Sequence, residues 1–299
     1  MNKEELYNRL NSFLTGKLIL LSDKPEETID STLKALWHAS SGFPKSVEEA
    51  DKLPLPELTQ KQIVVLNNLI EKRINDTPLA HITGRQSFMG VELLSDRRAL
   101  IPRKETEILG RKALALSMEI ATEKKEVKVI DVCCGAGNLG LAITYHNANA
   151  KVYAADLSKE AVDLTSDNIA FLKLGDRIHV KQGDLFSAFE SDEYYGKSDL
   201  IICNPPYISS AKVPKMISEV SNYEPLSAFD GGMLGTKIIL RLIREAPKFL
   251  SSGGWLAFEI GLGQGPFIMQ LCDRSEFYSK IESVTDNSGN IRVILAQKL

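Results

Sequence analysis

The chain has 299 residues, 43% hydrophobic and 25% charged, enough for one large domain or two and for a sizeable core. Thirty-nine acids against thirty-six lysines and arginines give a formal charge of −3, which argues against a protein that holds nucleic acid mainly by neutralising phosphates. No apolar run approaches the roughly 20 residues of a membrane span, and the opening MNKEELYNRL lacks the basic-then-greasy layout of a signal peptide. The expectation is a cytoplasmic monomer with neither a membrane nor a direct nucleic-acid partner.

Residues 1–76 read as a helical bundle. EELYNRLNSFL sets Leu6, Leu10, Phe13 and Leu14 on one stripe at helical spacing. PEETIDSTLKALWHAS opens on proline and acids, as a helix start does, then turns Ile29, Leu33, Leu36 and Trp37 inward. In PELTQKQIVVLNNLIEKRIND the apolar set is Ile63, Leu66, Leu69 and Ile70. From residue 77 to 100 the texture changes. Gly84, Gly90 and the alternating VELLS predict a hairpin linking two domains, with a helix beginning soon after Pro102.

Residues 101–299 alternate strand and helix. VKVIDV, KVYAAD, RIHVKQG, DLIICN and GWLAFEI are short apolar or β-branched runs. LGLAITYHN, KEAVDLTSDNIAFLKL and GTKIILRLIREAPKFL carry helical patterns between several of them. This order predicts an α/β fold, a mostly parallel sheet covered on both faces. KIESVT and IRVILAQ, separated by the turn composition DNSGN, predict an antiparallel hairpin at one edge.

VKVIDVCCGAGNLGLAI is strand, glycine turn and helix in order, so Asp131 to Gly137 are expected to line a pocket at the carboxyl end of the sheet. With Gly140 the spacing reads GxGxxG, a weak signal shared by nucleotide and S-adenosylmethionine pockets, and also by turns that merely pack strand on helix. Asp156 closes the next strand, where a carboxylate suits both hydroxyls of a ribose in either cofactor. Asp184 in QGDLF is a candidate for the adenine amino group, with Leu185 and Phe186 as apolar cover; alone, such an acid is more often a cap or turn former.

DLIICNPPYIS separates the cofactors. Two prolines fix φ and remove two N–H donors, leaving carbonyls as acceptors. Asn204 adds a side-chain carbonyl and Tyr207 a flat face, so Asn204, Pro205, Pro206 and Tyr207 form a receptor for a planar NH2 group. Such a group is a poor nucleophile because its lone pair is delocalised. Preorganised approach is worth about 7–11 kcal/mol in favourable cases against about 0.5–1.5 kcal/mol for an aromatic contact, so geometry dominates and no strong base is required before attack.

NPPY after the fourth strand, with the glycine turn after the first, resembles the class I S-adenosylmethionine-dependent amino-methyltransferases. PLAHITGRQSF (78–88), LIPRKETE (100–107), NYEPLSAFDGG (222–232), FEIGLGQG (258–265) and DNSGNIRV (286–293) extend the resemblance to the HemK/PrmC group, the protein-(glutamine-N5) methyltransferases of peptide chain release factors. The resemblance implies a Rossmann-like catalytic domain over 101–299, a hairpin linker over 77–100 and a substrate-recognition bundle over 1–76. Asn204 and Pro206 would hold the glutamine amide of the release factor's GGQ loop, with Tyr207 flanking it. Asp131, Cys133, Cys134, Gly135, Ala136, Gly137, Asp156, Asp184 and Leu185 would hold S-adenosylmethionine, and Asn204 would touch both ligands. An exocyclic amine of a DNA or RNA base is the alternative methyl acceptor, and a nonenzymatic nucleotide-binding module is the third class.

The chain departs from the family's common pattern at CCGAG, at Lys104 where a second proline is usual, and in GGMLGT, which lacks an acid often found there. Adjacent Cys133 and Cys134 without a second ligand pair make a poor metal motif, and no metal is expected. His38, His81, His146 and His179 have no ligand spacing. Arg103, Glu105 and Thr106 read as capping or interdomain residues, Glu259 as structural, and Glu224 as equally suited to covering the site or anchoring its loop.

Overall fold

The computed structural model describes residues 2–21, 23–215 and 223–299; Asn222 of the 222–232 segment lies outside them. The bundle forms through capping boxes. Helix α1 (Lys3–Thr15) is capped by Asn2, α2 (Ile29–Ser40) by Thr28 and α4 (Gln60–Ile74) by Thr59, each side chain accepting from the third helical N–H while that residue's side chain returns to the cap. The second helix therefore begins after Pro25–Glu27 rather than at the proline: Thr28, in extended backbone, is the cap. Two short helices escape periodicity because they hold barely a turn, α3 (Val47–Asp51) and α5 (Leu79–Thr83).

Leu6, Leu10, Leu14, Leu33, Leu36, Trp37, Leu66 and Ile70 share one core with Leu79, so α5 packs as part of the bundle. Each such apolar side chain contributes about 1.5–3 kcal/mol by leaving water. Phe13, expected inside, is 45% exposed at the edge of its stripe. The Trp37 indole N–H donates to the Pro56 carbonyl at 2.9 Å, and Arg73 pairs with Glu27 at 3.0 Å inside the bundle.

The linker forms the expected hairpin, β1 (Arg85–Phe88) with β2 (Val91–Leu94). Helix α6 (Glu107–Glu123) then leads into seven further strands and their helices. The strands are β3 (Val127–Val132), β4 (Ala150–Asp156), β5 (Ile178–Gln182), β6 (Ser198–Cys203), β7 (Leu250–Glu259), β8 (Tyr278–Thr285) and β9 (Ile291–Lys298). They form one sheet in the order β5-β4-β3-β6-β7-β9-β8. Pairing is parallel from β5 to β7 and antiparallel for β7–β9–β8, with the predicted hairpin at the edge.

Both faces are buried. Val129, Val152, Leu200, Ile202 and Val293 point into one core, and Ile130, Val132, Ile201, Phe258 and Ile294 into the other. Helices α7 (Asn138–His146) and α8 (Lys159–Leu172) follow β3 and β4, and the helices Lys237–Glu245 and Gly265–Asp273 flank β7. Strand order reverses between β3 and β6, the switch point at which open α/β sheets bind ligands. Their register pairs Val132 with Cys203, which sets the glycine turn directly beside NPPY. No helix of the described residues is long and apolar enough to cross a membrane.

Candidate active site

A cavity of about 760 Å³ opens at this switch point, within the range of small-molecule sites. Cys133, Cys134, Gly135, Asp156, Asp184, Leu185, Asn204 and Pro206 border it. A second cavity, about 180 Å³, is bordered by Pro205, Tyr207, Ile208 and Phe229. Leu100, Arg103, Thr106, Asn204 and Ala228 border both. Asn204 therefore stands where the two meet.

The turn after β3 is left-handed at Cys133 (φ 58°), Gly135 (57°) and Gly137 (80°). Two carboxylates brace it. The Gly135 N–H donates to Asp156 Oδ2 at 2.9 Å, while the Ser158 N–H takes Oδ1 at the same distance. From beneath, Asp131 Oδ2 accepts the Gly140 N–H at 2.9 Å.

Two expectations need correction. Asp131, Ala136 and Gly137 are buried and do not border the cavity. Burial pushes the Asp131 carboxyl up to about 7, the Gly140 N–H only partly offsetting this. Phe186 does not cover the cavity. It points into the core and stacks on Phe249, centroids 4.6 Å apart. Asp184 borders the cavity, and its carboxylate accepts from Arg241 Nη1 at 2.9 and 3.0 Å.

NPPY is held from several sides. Asn204 Nδ2 donates to Thr106 Oγ1 at 3.1 Å. The Tyr207 hydroxyl donates to Glu259 Oε1 at 2.9 Å, and Arg292 Nη2 lies 3.5 Å from that oxygen and 2.7 Å from Glu105 Oε2. Burial raises the Glu259 carboxyl, while the Thr106 and Tyr207 hydroxyls and Arg292 draw it back. Gln264 Nε2 reaches the Tyr207 carbonyl at 3.3 Å and that of Gly235 at 3.2 Å. Gly231 packs on the Pro206 carbonyl so closely that a Cβ there would sit 2.6 Å from the oxygen.

The loop after NPPY is anchored to the interdomain segment. Glu224 accepts from the Ile101 N–H at 2.9 Å and from Arg103 Nη2 at 2.5 Å. Tyr223 meets Thr77 Oγ1 at 3.1 Å and lies under the Arg97 guanidinium. Of its two expected roles, Glu224 fills the anchor. Thr106 is the site residue the sequence hid. Its position ahead of α6 looks like a cap, yet its side chain makes no cap bond and instead meets Asn204. Among the described residues no cluster of His, Cys, Asp or Glu has metal-binding geometry.

A strand order that reverses at β3/β6, with an antiparallel pair at one edge and a glycine turn over the crevice, defines a class I methyltransferase fold. The profile of the Methyltransferase small domain matches residues 110–221. The chain is 33% identical to the release factor glutamine methyltransferase of Thermodesulfovibrio yellowstonii over 84% of its own length and 89% of the relative's. It is 32% identical to that of Clostridium acetobutylicum over 80% and 82%. It belongs to the release factor glutamine methyltransferase family. Among solved structures the hMettl16 catalytic domain, 15% identical over 69% of this chain and 75% of that one with a TM-score of 0.53, shares the fold.

Proposed function

We propose that this enzyme transfers a methyl group from S-adenosylmethionine to the side-chain amide nitrogen, N5, of the glutamine in the GGQ loop of peptide chain release factors. The observation that carries this is that Asn204, at the head of NPPY, borders both a cofactor-sized cavity and a smaller one lined by Pro205 and Tyr207. The larger cavity suits the cofactor chemically. Asp156 keeps lone pairs for a ribose, and Cys133 to Gly135 offer backbone at close approach.

S-adenosylmethionine, when bound there, supplies a methyl group activated by its sulfonium sulfur. The chain's own residues do the rest by position. Asn204 Oδ1 accepts one hydrogen of the substrate amide. The Pro206 carbonyl, assigned the second hydrogen on resemblance, is turned against Gly231, which favours the carbonyl of Pro205, on the wall of the smaller cavity, for that role. Two such acceptors hold the nitrogen and raise its electron density along the line of attack, and Tyr207 flanks the amide plane. The proton departs after the nitrogen has gained its methyl group, so no buried base is needed. Asp184 contributes to the adenine end if it gives up Arg241, and Leu185 packs beside it.

Incubation with labelled S-adenosylmethionine and a purified release factor, followed by mass spectrometry, tests the proposal. Label is expected on the GGQ glutamine. Label on nucleic acid instead, or none on the factor from folded enzyme, contradicts it.

A further inference from the structure

The corners of tight turns usually carry glycine, asparagine, aspartate or serine, which suit the backbone there and need no cover from water. Two turns beside NPPY carry large apolar residues instead. The Gly235 N–H donates to the Gly232 carbonyl at 3.1 Å, which puts Met233 and Leu234 at the corners of the first. The Gln264 N–H donates to the Gly261 carbonyl at 3.2 Å, with Gly263 left-handed at φ 82°, which puts Leu262 at a corner of the second. Met233 is 87% exposed, Leu234 76% and Leu262 67%. Lone exposed apolar side chains are ordinary on a protein surface, whereas several on adjoining turns at the mouth of a site mark an interaction surface.

One side chain fastens the two turns together. Gln264 Oε1 accepts the Gly261 N–H at 2.8 Å, and its Nε2 reaches the carbonyls of Tyr207, Leu234 and Gly235 at 3.3, 3.5 and 3.2 Å. Gly235 sits so close on the Tyr207 carbonyl that no Cβ would fit, and a Cβ at Gly261 would lie 3.1 Å from the Tyr207 ring. Behind the first turn the Ser210 N–H donates to the Gly232 carbonyl at 3.0 Å. The second turn follows the carboxyl end of β7 as NPPY follows that of β6, so both turns stand at the end of the sheet where the cavities open. Their apolar corners are thus held in place before any partner arrives, which spares the cost of ordering a loop on binding.

We infer that Met233, Leu234 and Leu262 form an apolar docking ridge for the release factor, an assignment that rests on the proposed reaction. Continuity with the acceptor cavity identifies the occupant. Tyr207 borders that cavity, and both turns are mounted on Tyr207. A folded protein that lays a glutamine beside Tyr207 brings the flank of its loop onto the ridge. The three side chains carry no charge, so the matching surface on the factor is an apolar patch next to the acceptor loop.

Met233→Ser/Leu234→Ser/Leu262→Ser removes the ridge and leaves the turns, whose bonds come from backbone and Gln264. With labelled S-adenosylmethionine and purified release factor, KM for the factor is expected to rise about 10- to 100-fold, the scale of a lost apolar anchor at an interface. The kcat and the cofactor Kd should stay within about twofold of wild type. A KM within about twofold of wild type overturns the inference. So does a fall in kcat as large as the rise in KM, which marks turns that shape the site rather than grip the partner. Sedimentation of both proteins covers the other occupant: a dimer lost on substitution, with KM unchanged, assigns the ridge to a second copy of this chain and overturns the inference. Should the triple variant fail to fold, Leu262→Ser alone is expected to raise KM at least about threefold, and an unchanged KM there overturns the inference equally. A wild-type enzyme that leaves the factor unlabelled defeats the proposed reaction, and the ridge loses its occupant with it.

Discussion

Asp156 and Asp131 look alike in sequence, each an acid at the end of a strand beside the glycine turn, yet the fold uses them differently. Asp156 faces the larger cavity and also fastens the Gly135 and Ser158 N–H groups. Asp156→Ala should weaken cofactor binding by about 10-fold or more, read by titration, and an unchanged Kd removes the ribose assignment. Asp131 is a buried strut. Its carboxyl keeps its proton up to about 7 in the folded chain against an ordinary value of 3.8. Its stabilising contribution is therefore fully present below the lower value and is lost as pH rises through the higher one. Asp131→Asn, which never ionises, should flatten the dependence of Tm on pH between those values. A variant whose Tm tracks pH as the wild type does contradicts this.

Cys133 holds a left-handed backbone at φ 58° without being glycine, a conformation that costs a side-chain-bearing residue about 1–2 kcal/mol. Relief of that strain in Cys133→Gly is offset by about 0.5–1 kcal/mol of added chain freedom, so its Tm should match or slightly exceed that of the wild type. β-Branched Cys133→Val should lose about 1–3 kcal/mol. Thermal unfolding checks the order, and a valine variant as stable as the glycine one refutes the strain.

At the scale of elements, the long helices are legible because each shows its period over several turns, and the strands because each is a short apolar or β-branched run bounded by turn residues. VKVIDV maps onto β3 residue for residue. The positions of Cys133–Gly135, Asp156 and Asn204–Tyr207 around one crevice follow from strand order, which the alternation of elements implies. The support around NPPY is a different matter. Thr106, Gly231, Glu259, Gln264 and Arg292 come from four separate segments and meet only after folding, so no local spacing announces them. Sequence similarity singled out those segments without saying what each does. Phe186 differs from its expected place for a related reason: a residue at the mouth of a pocket and one pointing into the core differ by a single turn of the backbone, here at Leu185 with φ 50°.

The loop that leaves NPPY behaves as an element through Glu224, whose side chain is buried against Ile101 and Arg103. Glu224→Ala should destabilise the chain by about 3 kcal/mol, because a buried guanidinium partner and an N–H both lose this acceptor. Glu224→Gln, which keeps an acceptor for Ile101, should cost distinctly less. Equal losses in chemical denaturation would show that the charge does not matter.

Across the whole molecule the bundle is fixed to the catalytic part by carboxylates that cross between them. Glu92 accepts the Ser46 N–H at 2.8 Å, and Glu48 accepts the Ser87 hydroxyl at 2.6 Å and pairs with Lys104. These contacts hold α3 against the hairpin and the start of α6, next to the segment that carries Thr106. We expect one cooperative unfolding transition in the wild type. The double variant Glu48→Ala/Glu92→Ala, losing about 1–3 kcal/mol of docking, should melt in two steps in calorimetry; a single unshifted transition contradicts rigid docking.

Single-turnover methyl transfer by Asn204→Ala, run beside a cofactor titration of the same preparation, bears most directly on a site whose two cavities meet at one amide. The cofactor should bind within about threefold of the wild-type Kd, while transfer to the release factor falls by at least about 100-fold. Near-normal transfer, or a loss explained entirely by failure to bind the cofactor, would contradict the account.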